Sequence, residues 1–115
     1  MRATQLAKQC LLDWLAVTLA GSRSALVAIL EADLPCGEGG VATVLGYRGR
    51  RALYDAALLN GTSSHALDYD DVNYALMGHP TVPVMPALLA LAEREGCWAI
   101  SRYRTGRNLP PRSKS

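Results

Sequence analysis

The sequence predicts a mainly α-helical fold with one short β-hairpin near residues 41–53. Two observations carry this. Apolar residues recur at three- and four-residue steps over most of residues 3–96, and the β-branched run Val41–Leu45 is bounded by glycines. At 115 residues the chain is at most one small domain, and half its residues are hydrophobic, too many for general disorder.

Residues 3–20 read as the first helix, because Leu6, Cys10, Leu11, Trp14, Leu15, Thr18 and Leu19 share helical spacing and Gly21 is a natural stop. Its polar stripe of Gln5, Gln9 and Asp13 is narrow, which predicts burial on most sides. A second helix starts at Ser22 or Ser24 and runs to about Ala32, before Leu34-Pro35. Gly37, Gly39 and Gly40 read as a linker, since no G-K-[ST] ending follows for phosphate binding. Val41–Leu45 is the expected strand, Gly46–Gly49 its turn and Arg50–Leu53 a return strand or the start of a helix. Arg48, Arg50 and Arg51 read as a solvated hairpin rather than an anion patch.

From Leu53 the helical pattern resumes. Asn60-Gly-Thr-Ser-Ser64 interrupts it with small residues suited to close packing, to a kink beside a pocket, or to hydrogen-bonding a ligand. Pro83 and Pro86 place the start of the last helix between Thr81 and Met85, which sets His79 just ahead of a helix N-terminus whose dipole favours an anion.

Both histidines and three of the ten acidic residues fall within fifteen positions, His65 to His79. Spacing predicts His65 and Asp68 on one helical face, with Asp70 and Asp71 where that helix ends. Three carboxylates there oppose the helix dipole, so something must compensate. From spacing alone three accounts stand: a divalent ion, acid–base work in which a carboxylate orients a histidine, or acids that cap neighbouring helices and pair with arginines.

Charge divides the chain. Residues 1–96 carry a net −3, whereas 97–115 hold five basic residues and no acid. Cys10, Cys36 and Cys97 form no C-x-x-C pair, which suits a reducing cytoplasm better than a disulfide framework or a zinc knuckle. Asp13 interrupts the N-terminal apolar run, so neither a secretory leader nor a membrane span is expected, and no basic-aromatic pattern points to nucleic acid.

Asp13-Trp-Leu-Ala-Val-Thr-Leu-Ala-Gly21, Ala42-Thr-Val-Leu-Gly46, the block Asn60-Gly-Thr-Ser-Ser-His-Ala-Leu-Asp-Tyr-Asp-Asp71 and Gly78-His-Pro-Thr81 together resemble the N-terminal part of the MmgE/PrpD family, which includes 2-methylcitrate dehydratase and cis-aconitate decarboxylase. The resemblance covers residues 3–96, in order. It implies the N-terminal portion of a helical domain from a homodimeric lyase that acts on tricarboxylates without metal or organic cofactor. By position it implies Asp68 and His79 as catalytic residues, with His79 also binding the substrate carboxylate, and leaves His65, Asp70 and Asp71 as scaffold. Val72 stands where the decarboxylase branch has a threonine, which disfavours decarboxylation.

The resemblance stops after Gly96. Residues 97–115, rich in Arg, Ser and Pro, read as a divergent basic tail, disordered and marking a truncated or out-of-frame end. The expectation is therefore an N-terminal fragment with no appreciable turnover of its own, since family members draw further histidine and lysine groups from beyond this stretch. The competing expectation is a non-catalytic module that self-associates, or joins an intact subunit, through exposed apolar helices.

Overall fold

A computed structural model describes residues 2–34, 36–37 and 39–96. The basic tail lies outside these. The order is α1 (Arg2–Gly21), α2 (Ala25–Asp33), β1 (Ala42–Thr43), β2 (Arg50–Arg51), α3 (Leu53–His65) and α4 (Thr81–Arg94), a mainly α-helical fold with one small hairpin.

Helix starts follow local chemistry. Ser24, rather than Ser22, caps α2: its side chain accepts the Val27 N–H at 3.3 Å, while the Ser22 hydroxyl donates to the Leu19 carbonyl at 2.8 Å. The strands are shorter than the sequence suggests. Ala42 pairs with Arg51 and Thr43 with Arg50, antiparallel, and the Gly46 and Gly49 backbones turn through positive φ between them. Helix α3 then begins two residues after β2, so Arg50–Leu53 is both return strand and helix start.

Helix α3 is the hub, packing on α4, α1, α2 and the hairpin. Val27, Ala42, Val44, Ala56, Leu59 and Ala90 form the buried core around it. Gly21 lets α1 meet α3: a Cβ there would collide with the Ser63 carbonyl oxygen. That contact uses only the C-terminal half of α1. Trp14, Thr18 and Gly21 are buried, but residues 2–9 and Leu12 are exposed, so the expected burial of α1 on most sides does not occur among the described residues.

Polar side chains fasten the hairpin. Asn60, buried on α3, accepts the Leu45 N–H and donates to the Thr43 carbonyl, both at 2.8 Å. Glu93 at the end of α4 accepts both the N–H and the hydroxyl of Thr43 at 2.6 Å. Arg51 departs from the expected solvated arginine. It is buried, donates to the Leu34 carbonyl at 2.8 Å, pairs with Glu31 at 2.5 Å and touches the Cys36 sulfur.

The small-residue run Asn60–Ser64 lies in unbroken helix, without the kink considered above. Ser63 and Ser64 donate their hydroxyls to the Leu59 and Gly61 carbonyls of their own helix, so they serve packing and not a ligand. Opposite Gly61 sits the ring of Pro86, buried inside α4, where it forgoes one helical hydrogen bond. No single helix among the described residues is long and apolar enough to cross a membrane; α1 and α2 meet that length and composition only as a pair bent by 84°.

Candidate functional site

Helix α3 ends at His65, earlier than the acidic block, and this rearranges the residues expected to share its face. Asp68 lies beyond the helix at φ 54°, a left-handed conformation that aspartate tolerates better than most residues. The chain then makes a small closed loop. Asn73 and Gly78 exchange backbone hydrogen bonds at 2.9 and 3.3 Å, and the Asn73 side-chain oxygen accepts the Ala75 and Leu76 N–H groups at 2.9 and 3.1 Å. This loop returns His79 to the start of the acidic block.

The outcome is a chain of four side chains. Asp70 is at its centre, its side chain only 2% exposed. His65 Nδ1 lies 3.0 and 3.1 Å from the two Asp70 carboxylate oxygens. On the other side His79 Nδ1 is buried and 2.9 Å from Asp70 Oδ2, an ion-pair distance, although the ring N–H is not aligned for a hydrogen bond. His79 Nε2, at the opposite edge of its ring, lies 3.6 Å from Asp68 Oδ1. The two imidazoles meet edge to face with centroids 4.9 Å apart.

Exposure grades outward from Asp70. The His79 side chain is 28% exposed, His65 53% and Asp68 78%. A buried carboxylate with imidazoles on both sides can fix ring orientation, and the exposed outer atoms can meet a ligand or move a proton. Donor atoms of His65, Asp68, Asp70 and His79 all lie within 4.8 Å of one another, close enough for a divalent ion to be held between them.

Asp71 stands apart from this group. Its carboxylate accepts the Thr81 N–H at 3.2 Å and the Thr81 hydroxyl at 2.5 Å, at the N-terminus of α4. So one of the three clustered acids does cap a neighbouring helix. The same contact places a carboxylate at the helix end that the sequence offers to an anionic ligand, so any anion near His79 has to be held chiefly by the imidazoles.

The site therefore differs from its sequence reading in two respects. Asp68 lies beyond the end of α3 and not on a helical face with His65, and it meets His79 through a loop. His65 and Asp70, assigned to the scaffold, belong to the same cluster as His79. The sequence signal for Asp70 is weak, since only tertiary burial distinguishes it from Asp68 and Asp71. Beside His65, between α3 and α4, lies an open groove of about 560 Å³, lined mainly by apolar residues such as Leu58, Val82 and Pro86.

No curated protein and no solved structure gives a significant match to the chain. A family model does: that of the MmgE/PrpD N-terminal domain, over residues 1–103, running past Gly96 into the basic segment. With nearly all of its length covered, and with the acidic block and the histidine before proline drawn into one cluster, the chain belongs to the MmgE/PrpD family.

Proposed function

We propose that this chain supplies the acid–base wall of a cofactor-independent, cytoplasmic lyase for tricarboxylate-type substrates, of the 2-methylcitrate dehydratase kind. The observation that carries the reading is the contact between His79 Nε2 and Asp68 Oδ1 at 3.6 Å, facing solvent, with the far edge of the imidazole backed by buried Asp70. Dehydration of a hydroxy acid needs a base to take a proton from the carbon next to a carboxylate. It also needs an acid to protonate the departing hydroxyl, so that a C=C bond forms and water leaves. An imidazole and a carboxylate in contact can divide those two tasks.

The wall is open. Asp68 is mostly exposed and His65 half exposed, so these groups alone do not exclude water or surround a substrate. The purified chain should bind a non-reactive tricarboxylate such as tricarballylate weakly, at about millimolar Kd. In an absorbance assay on methylcitrate or cis-aconitate it should show no appreciable turnover. Calorimetry that finds no tricarballylate binding, or binding that His79→Gln leaves untouched, would contradict the reading.

A second reading is favoured by the apolar surface. Leu12, Ile29, Leu76 and Met77 are all more than 60% exposed, more than an isolated small domain comfortably carries. Under it the chain is an interaction module that self-associates or joins an intact subunit. Sedimentation decides: a clean, well-folded monomer across the micromolar range would count against it.

A further inference from the structure

We propose that Asp70 is the positioning residue of this site and that His65 is a second substrate-contacting imidazole, so that one buried carboxylate holds two histidines for a ligand with more than one carboxylate. This rests on the tricarboxylate reading for its ligand, but not for its geometry.

An ionised carboxylate can only accept hydrogen bonds. A ring nitrogen 3.0 Å from it must therefore carry the proton. His65 accordingly holds N–H at Nδ1, directed at Asp70, and its Nε2 lies on the ring edge turned away from that carboxylate. His79 Nδ1 also lies 2.9 Å from Asp70, an ion-pair distance without hydrogen-bond alignment, and its Nε2 faces Asp68. Asp70 thus fixes which nitrogen of His65 is offered outward, as an orienting carboxylate does wherever an imidazole must act from one edge, and holds the His79 ring beside it by charge.

Position supports a ligand role for His65. It is the last residue of α3, half exposed, and with Thr62 it supplies the polar side chains in the wall of the α3–α4 groove. A purely structural histidine tied to a buried acid would be expected to bury its other edge as well. With ring centroids 4.9 Å apart, the two imidazoles can reach neighbouring carboxylates of one small molecule, whereas a monocarboxylate can engage only one at a time.

The test is ¹⁵N NMR of the histidine side chains in the intact chain. The wild type should show protonated Nδ1 on His65 under conditions where the imidazole is neutral. Tricarballylate should shift the Nε2 signals of both His65 and His79, while acetate at the same concentration, which cannot span the two rings, should shift them far less. Asp70→Asn should blur the tautomer preference of His65 and weaken tricarballylate binding by roughly tenfold or more. His65→Gln should weaken it without disturbing the His79 tautomer. Should Asp70→Asn fail to fold, the wild-type spectrum and the His65→Gln variant still decide.

Without ligand, a neutral His65 that carries its proton on Nε2 overturns Asp70's role; with tricarballylate bound, Nε2 carries a proton as well, because it donates to a carboxylate. A tricarballylate response at His79 alone overturns the role of His65 and leaves the functional reading standing. Silence at both rings, with Nδ1 protonated on His65, sinks the tricarboxylate reading and His65's role together but supports Asp70 as the orienting group. Loss of the tautomer preference on treatment with a chelator overturns the proposal in favour of a metal held by the same four residues.

Discussion

The hairpin corner and the His65–Thr81 loop are both rich in polar side chains, yet they use them in opposite ways. At the hairpin, Asn60, Glu93 and Arg51 point inward and their bonds go largely to backbone groups that regular structure leaves without partners. In the loop, only Asp70 is buried, and its neighbours keep polar atoms toward solvent. The loop also carries both described non-glycine residues at positive φ, Asp68 and Met77. A polar group whose bonding capacity is used up internally is part of the framework, while one held rigidly with an atom to spare can do chemistry.

Substitutions can break this contrast, and the largest effect belongs to the hairpin. Asn60→Ala strands the part-buried Leu45 N–H and Thr43 carbonyl together, which should cost about 2 kcal/mol in chemical denaturation. Gly21→Ala forces α1 away from the Ser63 carbonyl and should cost about 2 kcal/mol, read as a lower midpoint with an unchanged denaturant slope. Glu93→Gln retains one acceptor for Thr43 but gives up the charge, and about 1 kcal/mol should go with it. In the loop, Asp68→Asn keeps a residue that tolerates the left-handed conformation, so stability should stay within about 0.5 kcal/mol while tricarballylate binding falls. A large stability loss at Asp68, or none at Asn60, would erase the distinction between the two regions.

The same contrast explains what the sequence discloses. Helices α1, α2 and α4 follow from apolar spacing, Ser24, Gly21 and the two prolines, because these signals act within a few residues. The hairpin is legible as a place but not in extent, since Asn60 and Glu93, from distant helices, limit which backbone groups pair. Arg51 reads as solvated because nothing nearby in sequence announces that Glu31 and the Leu34 carbonyl will receive it. At the site, the motif that resembles the family singles out Asp68 and His79, which lie 3.6 Å apart, but not the path between them. Helix periodicity carries Asp68 onto the face of His65, whereas α3 stops at His65 and the Asn73 turn does the positioning. Asp70 is hidden for the same reason: three aspartates in four residues differ only in what folds over them, and capping by Asp71 requires Thr81, ten residues on.

The central claim, that ligand-directed polar atoms are confined to the His65–His79 loop, is tested most directly by mapping a tricarballylate titration on the amide and imidazole resonances of the whole chain. The account predicts saturable shifts at His65, Asp68, Asp70 and His79, with Thr43, Asn60, Ser63 and Glu93 unmoved. Shifts centred on the hairpin, or spread evenly over the molecule, would contradict it.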